Sequence, residues 1–120
     1  MYADGFETRL ARVRHRFAAT LVSKIEGTVI SANRISRGDA GVVKDISESY
    51  RCLHGICGVG PTVGFAATGE AARTAEAALM QAHHESRGLT EREALSLNKA
   101  LYQLRVAAAS DLRLMYQRGG

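Results

Sequence analysis

The chain has 120 residues, 46% of them hydrophobic and 23% charged, which is the balance of a soluble globular protein with one ordinary core. No apolar run approaches the roughly 18 residues of a membrane span, and no signal-peptide pattern opens the chain, so we expect a cytoplasmic protein. The net charge of +4 comes from scattered basic residues with few aromatics, which favours a solvated surface over a nucleic-acid-binding face. We expect one domain over residues 1–120, with tails at 1–5 and 118–120.

The first predicted helix starts near Phe6 and continues to about Asn33. Asp4 is its expected N-cap, and Glu7 completes a capping-box pattern. Apolar residues recur at intervals of three and four along this segment, which predicts one buried stripe: Phe6, Leu10, Val13, Phe17, Leu21 and Ile25.

The second helix is predicted over residues 40–59, with Gly38 ending the preceding segment and Asp39 as the N-cap. One side is expected to face the core: Ile46, Tyr50, Leu53, Cys57 and Gly60. A second stripe, rotated by roughly a quarter turn, lies at the edge of that buried side: Ser47, Arg51, His54 and Gly58. Pro61 removes the backbone hydrogen bond to residue 57, so we expect the helix to be interrupted over residues 60–64.

The third predicted helix extends from about Phe65 to Glu85 and is rich in alanine, which favours helix and close packing. Its central contacts are expected from four residues: Phe65, Ala72, Leu79 and Met80. Gly88 is the expected C-terminal glycine. Thr90 and Glu93 form a capping box that opens the last helix. That helix has apolar residues at a regular three-four spacing: Ala94, Leu97, Leu101, Leu104, Ala108, Leu112 and Met115.

Four amphipathic helices joined by short loops predict an all-α fold, an antiparallel up-down four-helix bundle. The loop between the second and third helices is short, so these two helices are expected to be neighbours. His54 on one and Glu76 on the other would then lie on adjacent helices.

The surroundings of His54 resemble the histidine-phosphotransfer (HPt) domains of bacterial phosphorelays. In that family the phospho-accepting histidine is followed four residues later by a glycine and six residues further on by a second one, and Gly58 and Gly64 match. Arg51 before the histidine and Phe65 after the second glycine make the flanks most similar to the phosphotransfer domain of chemotaxis-type histidine kinases. The resemblance covers about residues 8 to 117, with specific motifs between 50 and 79.

The resemblance implies roles for several side chains. Glu76 lies at the spacing of the family's carboxylate that hydrogen-bonds the histidine and orients its ring. Arg51 lies one turn before His54, and Arg73 lies one turn before Glu76. Both are candidate charge partners for phosphate, since a guanidinium group matches phosphate geometry. Cys57 stands where the family usually has a lysine that helps to hold the phosphoryl oxygens. Further residues expected to form the binding surface are Ser47, Cys57, Gly58, Gly64 and Phe65.

The function implied is that of a phosphorelay intermediate. His54 would accept a phosphoryl group and pass it to or from an aspartate of a response-regulator receiver domain, with a sensor histidine kinase as the other partner. The receiver domain would bring the aspartate, Mg²⁺ and a lysine, so we expect no cofactor on this chain. The sequence has no Gly-rich phosphate loop, so we expect no ATP-dependent kinase activity of its own. We expect a monomer that binds neither nucleic acid nor membranes.

Three other functions stay open. A helical interaction module with the same fold and no chemistry is favoured by Cys57 in place of lysine. A small basic nucleic-acid-binding bundle would use the net positive charge. A metal-binding bundle is disfavoured, because the sequence has no CxxC or other metal-ligand spacing and lacks the Glu-x-x-His pairs of di-metal bundles.

Overall fold

The computed structural model describes residues 2–38 and 40–118, with the side chains of residues 2–4 and 6 left out of the description. Within this range the chain forms no strand and four α-helices: α1 (Tyr2–Arg37), α2 (Val42–Val59), α3 (Ala66–Glu85) and α4 (Glu91–Gln117). A short 3₁₀ helix, Gly60–Val63, connects α2 to α3. The prediction of an all-α four-helix fold is confirmed.

Each helix packs against two others. α2 contacts α1 and α3, and α4 contacts α3 and α1, so that the four helices surround one core. The core is built from one stripe of each helix, as the apolar spacing predicts, and its most deeply buried residues include Leu21, Ile25, Ile46, Leu53, Leu79, Leu97 and Leu104. No helix among the described residues has both the length and the hydropathy that a membrane span requires.

Some residues predicted to lie in the core are only partly covered. Val13 of α1 is 44% exposed and Met80 of α3 is 38% exposed. Tyr50 and Cys57 of α2 are half-buried, and the buried residues of that helix are Ile46, Ser49, Leu53 and Ile56. For Tyr50 and Cys57 the physical reason is that α2 packs against both α1 and α3. Side chains that point between these two neighbours are fully buried, whereas those at the margins of the apolar stripe stay partly accessible.

The helix starts differ from two predictions. α1 begins at Tyr2, so Asp4 lies inside the helix and is not its N-cap, and its side chain lies outside the described residues, as does that of Phe6. The N-cap of α2 is Gly41, whose φ of 89° is in the left-handed region, and the expected cap Asp39 lies outside the described residues. The end of α1 is at Arg37 rather than Asn33, because buried Ile35 continues its apolar stripe.

The end of α3 also differs from the prediction. The left-handed residue that follows the helix is Ser86, with a φ of 51°, and not Gly88. The N–H of Arg87 donates to the carbonyl of Ala82 at 3.1 Å, which is the reversed pairing that closes such a helix end. That pairing requires the left-handed residue immediately after Glu85, so the position decides the conformation even though the residue there is serine.

Pro61 ends α2 as predicted, and the 3₁₀ helix that follows holds the start of α3 against the end of α2. The N–H of Phe65 donates to the carbonyl of Gly60 at 2.8 Å. Gly64 has a φ of 91°, a conformation that glycine adopts without strain. Gly69 of α3 lies directly against Pro61, and a Cβ atom there would be 2.7 Å from the proline Cδ. This close contact fixes how α2 and α3 lie beside each other.

Candidate functional site

His54 lies on the solvent side of α2 and pairs with a carboxylate of α3. Its Nδ1 is 3.1 Å from Oε2 of Glu76. The imidazole side chain is 69% exposed, whereas the glutamate side chain is only 10% exposed. When the carboxylate is ionised it only accepts hydrogen bonds, so this contact assigns the proton to Nδ1 and the free lone pair to Nε2. The structure thus brings together the two residues that were predicted to form the pair.

A second hydrogen bond joins the same two helices. Ser47 Oγ is 3.0 Å from Nδ1 of His83. Ser47 lies seven residues before His54 on α2, and His83 lies seven residues after Glu76 on α3, so residue numbers increase along α2 in the direction in which they decrease along α3. By the same register Cys57, three residues after His54, is level along the helix axes with Arg73, three residues before Glu76.

Both predicted arginines are exposed and lie near this pair along their helices. Arg51 is one turn before His54 and Arg73 is one turn before Glu76, which places them on opposite sides of the pair along the helix axes. Among the described residues neither one forms an ion pair or hydrogen bond, with His54 or with any acid. Their guanidinium groups are therefore available to an anion that binds beside the imidazole.

The surface next to His54 is open. Gly58, one turn later, is exposed, and a Cβ atom added there or at Gly55 would meet nothing within 4 Å. Cys52 and Cys57 are half-buried, and neither forms a disulfide. The absence of side chains at the two glycines lets a partner approach the imidazole closely.

Two residues predicted for the binding surface have a different position. Phe65 is 1% exposed and packs edge-to-face on Phe17, with ring centroids 5.1 Å apart. Gly64 ends the 3₁₀ helix, away from His54 along the chain. Phe65 is therefore a core residue and not a surface contact, and Gly64 serves the connection between α2 and α3. They act on the site by fixing the two helices that carry it.

An aromatic array that was not predicted from the sequence lies beside the histidine. The ring of Tyr50 is nearly parallel to that of His54, with centroids 6.1 Å apart and planes at 9°. It is also nearly parallel to His83, with centroids 4.4 Å apart and planes at 13°. The spacing of four residues between Tyr50 and His54 is a signal for neighbours on one helix. The contact with His83 depends on the register between α2 and α3, which the sequence does not display.

A shallow groove of about 220 Å³ lies between α1 and α2, and Gly55, the residue after His54, is part of its lining. Its apolar lining includes Val13, Ile56 and Val59, and Arg16 and Lys24 of α1 add positive charge. No group of three or more histidine, cysteine, aspartate or glutamate side chains able to hold a metal ion occurs in the described part of the chain.

Comparison of the chain with protein-family models, curated proteins and solved structures gave no match in any of the three. The geometry around His54 and the motif in the sequence are therefore the observations that bear on function.

Proposed function

We propose that this chain is a phosphorelay intermediate of the HPt type, which accepts a phosphoryl group on His54 and exchanges it with an aspartate of a response-regulator receiver domain. The observation that carries the proposal is the pairing of an exposed imidazole with a buried carboxylate, 3.1 Å apart, on adjacent helices. A histidine with a purely structural role gains nothing from an exposed ring and an open glycine surface beside it.

The chemistry follows from this pairing. Nε2 attacks the phosphorus of the aspartyl phosphate, so that a P–N bond forms while the P–O bond to the aspartate breaks and the aspartate leaves as a carboxylate. Nδ1 keeps its proton, and the imidazole gains positive charge, which the Glu76 carboxylate stabilises through the hydrogen bond. Since the transition state of phosphoryl transfer is loose, catalysis depends mainly on position and charge neutralisation. In the reverse direction the same steps return the phosphoryl group to the aspartate.

Charge neutralisation on this side of the reaction is assigned to Arg51 and Arg73. The register between α2 and α3 supports a specific role for Arg73, because this residue lies level with Cys57, where the family has its lysine. An arginine on the neighbouring helix thus replaces a lysine on the same helix. Mg²⁺ and a lysine are assigned to the receiver domain, and no cofactor or ATP site is assigned to this chain.

The receiver domain is proposed to dock over Gly58 and the groove between α1 and α2. Val59 at the groove is 41% exposed, and Arg16 and Lys24 surround the apolar lining with positive charge. Receiver domains present an acidic pocket around their aspartate, so the charges of the two surfaces would be complementary and would steer the encounter. A sensor histidine kinase is the proposed source of the phosphoryl group.

The fold assigned to this function is an antiparallel up-down bundle that acts as a monomer. The opposite numbering of the two hydrogen bonds between α2 and α3 supports the antiparallel arrangement of that pair. The connections before α3 and α4 are short, and among the described residues the helices contact one another only between consecutive helices and between α1 and α4, which supports it for the remaining helices.

Transfer of label from a phosphorylated receiver domain, in the presence of Mg²⁺, tests the proposal. We expect acid-labile label on the wild-type chain and none on His54→Gln. His15→Gln is the matched control, since this exposed histidine lies on α1, and it should be labelled like wild type. Absence of label on the wild-type chain, or label that persists on His54→Gln, would overturn the assignment.

The role of Glu76 has its own measurement in the same assay. Glu76→Gln keeps a hydrogen-bond acceptor but removes the negative charge. Because a hydrogen bond to a charged group contributes about 1.5–3 kcal/mol, we expect transfer to slow roughly 10- to 100-fold. An unchanged rate would mean that Glu76 does not stabilise the imidazole during transfer.

A helical interaction module is the second candidate, and the replacement of the lysine by Cys57 is the observation that favours it. Such a module would bind the receiver domain without taking the phosphoryl group. Binding measured by calorimetry together with no label on His54 would select this alternative.

A further inference from the structure

Three aromatic rings lie in sequence along the face of α2 and α3 that carries the candidate site. Tyr50 is the middle ring and stacks with both His54 and His83. His83 is in turn tied to Ser47 by the 3.0 Å hydrogen bond. The array thus connects the candidate phospho-acceptor to a second hydrogen bond between the helices, two turns away.

His54 needs more than Glu76 to have a defined ring orientation. The hydrogen bond fixes one atom, Nδ1, while the ring is mostly exposed and is free to rock about that contact. The torsion that turns a histidine ring is broad and has no sharp staggered minimum. A parallel aromatic neighbour limits this rocking, because an offset stack is favourable only while the two planes stay aligned. Tyr50, at 9° to the imidazole, is such a neighbour.

Tyr50 is itself held firmly. It is half-buried and packs against the core, and its other stacking partner, His83, is half-buried with its Nδ1 fixed by Ser47. The closer of the two stacks, at 4.4 Å, is the one with His83. Tyr50 therefore has fixed contacts on the core side and the α3 side, and the exposed imidazole is the free member of the array.

We propose that Tyr50 is a positioning residue for His54, which holds the plane of the imidazole so that Nε2 faces the incoming phosphoryl group. His83, anchored by Ser47, keeps the tyrosine ring in place. The effect on phosphoryl transfer rests on the proposed function, whereas the effect on the imidazole does not. Ser47 thereby acts through this array rather than by contact with a partner.

His84 provides a matched control. It is exposed, its ring is 6.3 Å from that of Tyr50, and the two planes are tilted by 57°, so it does not stack. Removal of His84 should leave His54 unaffected, although the residue is adjacent to His83 and has the same side-chain chemistry.

The test combines nitrogen NMR of the His54 ring with the rate of label transfer at saturating receiver domain. In the wild type we expect the Nδ1–H tautomer of His54 to dominate and its ring protons to show the ring-current shift of Tyr50. Tyr50→Leu should remove that shift and let the loosened ring break its hydrogen bond to Glu76 part of the time, which populates the other tautomer. Transfer should slow roughly three- to tenfold, the range expected for loss of one aromatic pair. Tyr50→Phe should restore both readouts, since the ring is kept and only the hydroxyl is lost.

His83→Ala should give a smaller change of the same kind, and His84→Ala none. If folded Tyr50→Leu leaves the His54 tautomer as in wild type, the proposal is overturned. If Tyr50→Leu does not fold, His83→Ala decides, and an unchanged His54 spectrum in that variant overturns the proposal as well. If the wild-type chain takes no label, the phosphorelay assignment fails, while the NMR spectra still decide whether Tyr50 positions the ring.

Discussion

The connections that lead into α3 and into α4 are nearly equal in length but are stabilised by different interactions. The first, residues 60–65, is stabilised by close packing and by contacts from distant parts of the chain. The second, residues 86–90, is stabilised by hydrogen bonds and ion pairs between residues close in sequence. The difference matters because the first connection determines how His54 and Glu76 meet.

In the first connection the partners come from elsewhere in the fold. Arg14 of α1 donates to the carbonyl of Val63 at 2.9 Å. Asp111 of α4 accepts from both the N–H and the hydroxyl of Thr68, at 2.9 and 2.8 Å, and so caps the start of α3, where the N-cap residue Phe65 has no capping side chain.

In the second connection the partners are neighbours in sequence. The Thr90 hydroxyl accepts from the N–H of Glu93, and the Glu93 carboxylate accepts from the N–H of Thr90. The same carboxylate accepts two hydrogen bonds from Arg87, at 2.8 and 3.1 Å. The Arg87 guanidinium, aided by the Thr90 N–H, lowers the pKa of Glu93 from its ordinary 4.5 to about 2. The candidate site's end of α3 therefore depends on partners from distant parts of the chain, whereas the far end of α3 depends on partners close in sequence.

Phe65→Ala should have the largest effect on the free energy of unfolding. Removal of this fully buried ring from the first connection should cost about 3–5 kcal/mol. Leu89→Ala, in the second connection, removes a half-buried side chain and should cost clearly less. Urea unfolding followed by circular dichroism measures both. Equal losses would mean that the two connections depend on packing to the same extent.

Gly69→Ala should destabilise the protein although alanine favours helix. The new Cβ would lie 2.7 and 2.8 Å from two ring carbons of Pro61, which cannot rotate away, so we expect a loss of about 1–3 kcal/mol. Gly27→Ala, in the exposed middle of α1 with nothing within 4 Å, should instead gain up to about 1 kcal/mol. Thermal unfolding of both variants checks the opposite signs, and a stabilised Gly69→Ala would contradict the close contact.

Asp111→Ala tests the cap that comes from a distance. It should cost about 1–2 kcal/mol, because two donors of Thr68 lose their acceptor at the start of α3. Thr90→Ala is the local counterpart and should cost about 1 kcal/mol. Hydrogen exchange then locates the effect: Asp111→Ala should raise exchange in the first turn of α3, and Thr90→Ala in the first turn of α4. Exchange that rises uniformly along the chain would contradict a local capping role.

Glu93→Gln should have the clearest pH dependence of these changes. The folded-state pKa of Glu93 is lowered, so its carboxylate stabilises the folded state above about pH 4.5, and this contribution is lost as pH falls towards 2. The wild type should therefore be more stable than Glu93→Gln at neutral pH, and the two should converge near pH 2. Urea midpoints across this range measure the difference. A constant difference at all pH values would exclude ionisation of Glu93 as its source.

Much of the local structure follows from the sequence. The three-four spacing of apolar residues predicts the four helices, Pro61 predicts the interruption after α2, and Thr90 with Glu93 predicts the capping box. Each of these signals lies within a few residues of the structure that it determines. The pairing of His54 with Glu76 was also predicted, from the resemblance to HPt domains, and the structure brings the two side chains together.

Several other features depend on contacts between residues that are far apart in the chain. Asp111 caps α3 from 43 residues away, Ser86 takes the left-handed position that Gly88 was expected to occupy, and Phe65 is buried against Phe17. The stacked array beside His54 likewise needs α2 and α3 to meet in one register. The physical reason is range: periodicity, propensity and local caps act within a turn or two of helix, whereas the register between helices is set by side chains far apart in the chain that pack only once the core has formed.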